Sequence, residues 1–193
     1  MSTTMKTLTL AALLSLASAD CILNTITTPS ASDVASSIIQ WNSDVNNVNA
    51  FLNSVASQQQ QPGGVTDFAS LSSATQTALT IASDEPCQLA TLSTGSPLND
   101  AKFACAVADL NDVFKAHVLD QLVIVRDNAG DQDVRDQAVQ EINNFRCCNV
   151  LPSASTMWAQ QAAANQITGV PTEAAREDAC GSIICTPSCS DLS

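Results

Sequence analysis

The chain has 193 residues, of which 45% are hydrophobic, 4% aromatic and 13% charged. Nineteen acidic residues against seven basic ones give a formal net charge of -12. Nucleic acids and anionic membrane surfaces attract clustered Lys and Arg side chains, so this balance excludes nucleic acid as a partner and argues against such surfaces. The length is sufficient for one domain with a hydrophobic core.

The first 19 residues have the pattern of a secretory signal peptide. Lys6 precedes an apolar run over residues 8–16, and Ala17 and Ala19 are the small residues that signal peptidase requires before Asp20. The apolar run is about half as long as a membrane-spanning helix. We therefore predict a signal peptide over residues 1–19, export to the extracellular space or cell wall, one helical domain over residues 20–193, and no transmembrane segment.

All eight cysteines follow the predicted cleavage site: Cys21, Cys87, Cys105, Cys147, Cys148, Cys180, Cys185 and Cys189. An even number in an oxidising compartment predicts four disulfides. Adjacent residues cannot normally meet disulfide geometry, so we expect Cys147 and Cys148 to pair with other parts of the chain. The alternative for the last three thiols is a zinc site, but no CxxC pair and no nearby histidine accompanies them. We predict no metal and no cofactor.

Apolar residues follow a helical period over the first predicted helix. They are Val34, Ile38, Trp41, Val45, Val48, Leu52 and Val55. Alternating steps of four and three residues fit the seam of a helix and exclude a strand, whose period is two. The sequence Pro29-Ser30 is a start signal and residues 61–64, QPGG, are a stop signal. Polar residues between the seam positions, Asp44 and Asn49 among them, are expected to form the outer face.

The next segments have the same period. Thr66 is the predicted cap of a second helix, and Pro86 is expected to kink or restart the chain ahead of a short helix at residues 87–92. Residues 95–97, GSP, are a predicted turn. A long helix is predicted from about Asn99 until Gly130 ends it.

The remaining helices are predicted from weaker patterns. One runs from about Val134 up to the cysteine pair and Pro152, and Met157, Ala164 and Ile167 indicate another. A last short helix is predicted at residues 172–180, followed by an irregular tail fixed by disulfides. No alternation of strands and helices appears. The predicted fold is an all-α, disulfide-stabilised antiparallel bundle of about five or six helices.

Few residues suit catalysis. His117 is the only histidine, with Asp120 following it, and this pair could form a general base oriented by a carboxylate. A histidine at the border of a packed helix is the more common interpretation, and the sequence contains no GxSxG, HExxH, P-loop or GxGxxG motif. We predict a protein that is not an enzyme.

Acidic clusters suggest two further kinds of site. The pairs Asp84-Glu85, Glu177-Asp178 and Asp131-x-Asp133 could serve a glycosidase, but too few aromatic residues are present to support a sugar, and solvated helix ends explain them better. The loop that begins at Asp127 suggests calcium. It lacks the glycine and glutamate that an EF-hand needs at its sixth and twelfth positions.

The apolar seams are the remaining candidate for function. Helices rich in small residues can enclose a cavity or open to expose an apolar face, although a well-packed core is the commoner outcome. If a ligand binds, we expect it to contact seam side chains: Ile38, Trp41, Val45, Phe103, Leu110 and Phe114.

Residues 31–55, ASDVASSIIQWNSDVNNVNAFLNSV, resemble the opening helix of the fungal hydrophobic surface-binding protein A family, which includes the cell-wall galactomannoproteins. The resemblance implies a secreted helical bundle that adsorbs to apolar surfaces or holds a fatty-acid-like ligand. We therefore expect a non-enzymatic protein that binds a lipid-like ligand, such as a fatty acid, or a hydrophobic surface. The alternative is an extracellular effector or cell-wall interaction protein whose partner is a host or wall protein.

Overall fold

The computed structural model describes residues 28–94 and 100–186, together with Cys189. Helices fill most of this part of the chain, and no β-strand occurs in it. The helices are α1 Ala31–Gln59, α2 Phe68–Ala82, α3 Glu85–Leu92, α4 Ala101–Phe114, α5 Asp120–Asp127, α6 Gln132–Phe145 and α7 Leu151–Ala164. The predicted signal peptide, Cys21 and the predicted turn at residues 95–97 lie outside the described residues.

Helix α1 has the predicted start, seam and stop. Ser30 Oγ accepts a hydrogen bond from the Asp33 backbone N–H at 3.2 Å, and Asp33 Oδ2 accepts one from the Ser30 backbone N–H at 2.9 Å. This reciprocal pair is a capping box. Each of the seven predicted seam residues is at most 1% exposed. The period of the sequence therefore identified the buried face of α1 correctly.

Helices α2 and α3 begin at slightly different residues from those predicted. Asp67 caps α2 instead of Thr66, since its Oδ1 accepts from the Ser70 backbone N–H at 2.9 Å. Helix α3 begins at Glu85, so Pro86 lies in the first turn. A proline is tolerated there because a first-turn N–H has no partner within the helix.

The predicted long helix is present, but it contains a π-helical turn. Asp100 caps α4 by accepting two first-turn backbone N–H groups at 2.9 and 3.1 Å. The π turn Lys115–Leu119 then joins α4 to α5 without a break. Residues 101–127 therefore form one continuous rod, the first long rod, which ends shortly before Gly130.

The cysteine pair and Pro152 do not end a helix, contrary to the prediction. The π turn Arg146–Val150 joins α6 to α7, so residues 132–164 form a second long rod. In a regular α-helix the proline ring would collide with the carbonyl four residues earlier, and the wider π turn relieves that collision. Pro152 also provides no N–H, and the carbonyl of Cys147 accepts a hydrogen bond from Arg176 instead.

The helices pack as an antiparallel bundle. The two long rods form a hairpin, because α4 packs against α7 and α5 against α6. Helix α2 packs against α1 and α5, and α3 packs against α1 and α7. Trp41 of α1 meets Trp158 of α7 edge to face, with the ring centroids 5.8 Å apart. The all-α bundle is confirmed, as five rods over the described residues.

The described part of the tail is mostly irregular, as predicted. The predicted helix at residues 172–180 is wrong, since only the 3₁₀ turn Asp178–Gly181 is helical there. Backbone groups of this segment bond to other elements: the Ala174 N–H donates to Ser155 Oγ at 2.9 Å, and the Ala175 carbonyl accepts from Asn49 at 2.7 Å. The segment therefore lies against the bundle without regular secondary structure.

Three disulfides fix the tail to the bundle: Cys147–Cys180, Cys148–Cys185 and Cys105–Cys189. The adjacent cysteines bond elsewhere, as predicted, and both partners are in the tail. Because Cys105 is on α4 and Cys148 is on the second long rod, residues 185–189 link the two rods covalently. Cys87 of α3 is disulfide-bonded as well.

Candidate ligand-binding site

The six predicted ligand contacts all lie in the hydrophobic core: Ile38, Trp41, Val45, Phe103, Leu110 and Phe114. Each is at most 5% exposed. Trp41, Leu110 and Phe114 also line a pocket, whereas the other three do not line it and pack inside the core. The structure therefore brings half of the predicted set together at one cavity.

The pocket lies between α1, α3 and the first long rod, and its volume is about 290 Å³. Pro86 and Leu89 of α3 and Leu119 of the π turn add apolar walls. The exposed residues Asn111 and Lys115 also belong to its lining. Small-molecule sites usually measure about 300–1,000 Å³, so this pocket fits a small and largely apolar ligand.

One wall of the pocket carries a buried carboxyl group, that of Glu85, which is 1% exposed. Its Oε2 accepts a hydrogen bond from Trp41 Nε1 at 2.8 Å. Its Oε1 has no hydrogen-bond partner among the described residues and lies 3.7 Å from Nη1 of Arg146. Burial raises the pKa of Glu85 to about 7, and the charge of Arg146 opposes that rise. The prediction that Glu85 lies at a solvated helix end is wrong, because the first turn of α3 faces the core.

Arg146 is the centre of a buried charge cluster that we call the Arg146 cluster, formed by Glu85, Arg146 and Glu177. Arg146 is 0% exposed and belongs to the second π turn. Its Nη2 donates to Asn49 Oδ1 at 2.7 Å, and its Nε lies 3.6 Å from Glu177 Oε2. Two buried carboxyl groups thus share one guanidinium. Within the cluster, acidic groups outnumber basic ones.

A further buried carboxyl group, that of Asp44, lies on α1. Asp44 is 4% exposed, and its Oδ1 accepts from Gln40 Nε2 at 3.0 Å. Burial and repulsion from Asp84 raise the pKa of Asp44 to about 7. The prediction that Asp44 and Asn49 belong to the outer polar face is wrong, because both side chains turn into contacts with neighbouring elements.

His117 does not pair with Asp120. Its Nδ1 lies 2.7 Å from Glu141 Oε1, and its ring stacks on Phe145 with the centroids 3.5 Å apart. Asp120 instead forms an ion pair with Lys115 at 2.9 Å. The His117 side chain is about a third exposed. It connects the π turn of the first long rod to α6 of the second. This geometry fits the border-residue interpretation.

Each of the three thiols of the zinc alternative, Cys180, Cys185 and Cys189, forms a disulfide. Cys147, Cys180 and Glu177 lie within 4.8 Å of one another, but the two sulfurs form a disulfide and so offer no thiolate. In the suggested calcium loop, Asp127 binds Arg126 at 2.7 Å, which lowers the pKa of Asp127. Asp131 caps α6 by accepting from the Val134 backbone N–H at 3.2 Å.

A second, larger cleft of about 620 Å³ lies between α6 and the tail. Polar side chains such as Asn143 and Gln59 form much of its lining, together with Ile183 and Ile184. Ile184 is 96% exposed, so this cleft is open to solvent at that end. The pocket beside Trp41 is the more apolar and more enclosed of the two.

None of the helices within residues 28–94 and 100–186 combines the length and the hydrophobicity that a membrane span requires. No family model, curated protein or solved structure matches the chain.

Proposed function

We propose that this is an exported, non-enzymatic protein that binds a small lipid-like ligand in the pocket lined by Trp41, Leu110 and Phe114. The observation that carries the proposal is the pocket itself, whose apolar walls come from α1, α3 and the first long rod. Three of its lining residues are ones that the helical period of the sequence predicts as ligand contacts. Export is supported by the pattern of the first 19 residues together with the disulfides.

Binding in a pocket is better supported than coating of an apolar surface. In the described part of the chain, the large apolar side chains that are exposed are Ile39, Phe68, Val134 and Ile184. They belong to α1, α2, α6 and the tail, so none of the described helices exposes an apolar face to solvent. Opening the bundle to create such a face is opposed by the covalent link between the two long rods.

The first test is a chain-length series. Isothermal titration calorimetry with linear primary alcohols from butan-1-ol to decan-1-ol measures how affinity depends on apolar length. Each added methylene should tighten binding about fourfold, since burial of one is worth about 0.8 kcal/mol, until the pocket is full. A plateau at one chain length supports a closed site. Affinity that rises without a plateau, or no saturable binding at all, would contradict the proposal.

The second test is a substitution that reduces the volume of the pocket. Leu119→Trp places a larger side chain in the pocket wall and should weaken octan-1-ol binding at least tenfold. Val134→Trp is the matched control, because Val134 is 38% exposed on α6 and does not line the pocket. Far-ultraviolet circular dichroism checks that both variants keep the helical fold. Equal affinities for the two folded variants would place the ligand elsewhere.

A further inference from the structure

We propose that the pocket selects ligands whose polar end donates a hydrogen bond, an amine or an alcohol, over ligands that end in a carboxylate. This inference rests on the proposed function, since it specifies the class of ligand for the same pocket. The observation behind it is Glu85, which lines the pocket, is almost fully buried, and has one oxygen without a hydrogen-bond partner among the described residues.

Among the described residues, Oε1 of Glu85 has no hydrogen-bond partner, and its nearest charged neighbour is Nη1 of Arg146 at 3.7 Å. The indole N–H of Trp41 already donates to Oε2 at 2.8 Å, and Nη2 of Arg146 donates to Asn49 Oδ1 at 2.7 Å. Nε and Nη1 of Arg146 make no hydrogen bond with the described residues, but Arg146 does not line the pocket. A ligand in the pocket therefore lies beside a carboxyl group that has one oxygen without a hydrogen bond among the described residues. A buried acceptor is stabilised by an incoming O–H or N–H group.

The charges around Glu85 oppose a carboxylate ligand. The acidic residues near Glu85 are Asp44 on α1, its neighbour Asp84, and Glu177 in the tail. Arg146 is the one basic residue of the Arg146 cluster. Lys115 in the pocket lining is engaged by both carboxylate oxygens of Asp120 at 2.9 Å. An anionic head group would add a negative charge to this group of acids, whereas an ammonium group would neutralise one of their negative charges.

A matched series with one tail and three head groups tests the inference on the unmodified protein. Octylamine, octan-1-ol and octanoate are titrated calorimetrically at pH 8. The affinity of octylamine should be at least about tenfold higher than that of octanoate, because a hydrogen bond to a charged group contributes a factor of at least that size to the affinity. Octan-1-ol should lie between them. Octanoate affinity equal to or above that of octylamine would overturn the inference but not the proposed function, whereas a failure of all three to bind would contradict the proposed function.

The pH dependence and one variant identify Glu85 as the selecting group. Octylamine should bind about tenfold more weakly at pH 5 than at pH 8, because the buried carboxyl of Glu85 is then protonated, while octan-1-ol should change little. Glu85→Gln should remove the preference for the amine. Glu141→Gln, a partly exposed carboxyl outside the pocket, should preserve it. An unchanged preference in folded Glu85→Gln would overturn the inference, and if that variant does not fold, the pH comparison on the unmodified protein decides.

Discussion

Arg146 contacts three other parts of the chain: α1, α3 and the tail. It belongs to the second π turn, donates to Asn49 on α1, and faces Glu85 on α3 and Glu177 in the tail. A buried guanidinium in such a position offsets the cost of burying the carboxyl groups around it. The sequence offered no signal for this role, since Arg146 precedes the cysteine pair without any pattern of charges around it.

Arg146→Met should destabilise the fold by about 3–5 kcal/mol, because the two carboxyl groups of the Arg146 cluster would then be buried without a compensating charge. Equilibrium unfolding in urea with the disulfides intact measures the loss. The matched control is Arg126→Met. Arg126 is partly exposed and pairs with exposed Asp127, so its loss should cost less than about 1 kcal/mol. Similar costs for both variants would contradict the role of the cluster.

The raised pKa values of Asp44 and Glu85 predict how stability depends on pH. Each carboxyl group binds its proton more tightly in the folded chain than in the unfolded one. Stability should therefore fall as the pH rises from about 4 to about 7, where the unfolded chain has lost these protons and the folded chain still holds them. Differential scanning calorimetry should give a higher Tm at pH 5 than at pH 8.

Asp44→Asn isolates one of the two groups. The amide carries no charge to desolvate, so the variant should raise the Tm at pH 8 by roughly 2–4 °C, as expected for a gain of about 1 kcal/mol in a domain of this size. At pH 5 the variant should differ little from the unmodified protein. A loss of stability at pH 8 would show that the Asp44 carboxylate is favourable in the fold.

At the scale of helices, sequence periodicity predicted the existence and buried face of the main elements but not all of their boundaries. The first π turn has a trace in the sequence: between Leu110 and Leu122 the apolar residues are spaced by four residues three times in succession. That spacing exceeds the α-helical period, and a π turn absorbs the difference. The second π turn was missed because Pro152 normally ends a helix.

The capping box of α1 gives a test at this scale. Ser30→Ala removes the side chain that accepts the Asp33 backbone N–H, and should cost about 1 kcal/mol in the free energy of unfolding. Ser36→Ala is the control, because Ser36 is exposed in the body of the same helix and alanine has the higher helix propensity. A loss for Ser36→Ala as large as that for Ser30→Ala would contradict the capping role.

At the scale of the whole molecule, the disulfides make the tail part of the fold. Their presence followed from the even number of cysteines, whereas the pairing could not be predicted because it depends on how the tail lies against the rods. The buried charges of the candidate site could not be predicted for the same reason, because they too depend on tertiary packing. Glu85, Arg146 and Glu177 are far apart in sequence, and only the packing of α3, the second long rod and the tail brings them together.

Replacing both Cys105 and Cys189 with serine removes the bond through which the tail links the two long rods. The double variant should lose about 2–4 kcal/mol of stability, because the unfolded chain regains the freedom that the cross-link restricts. Urea unfolding followed by circular dichroism measures the change. An unchanged unfolding midpoint would show that this link contributes nothing to stability.

The proposed function requires that a small apolar ligand occupies the pocket beside Trp41. Isotope-filtered nuclear Overhauser measurements on labelled protein with unlabelled octan-1-ol test it directly. We expect contacts between the alkyl chain and the methyl groups of Leu89, Leu110 and Leu119, which share the pocket wall. Contacts spread over exposed side chains such as Ile39 and Val134, or no contacts at saturating ligand, would contradict it.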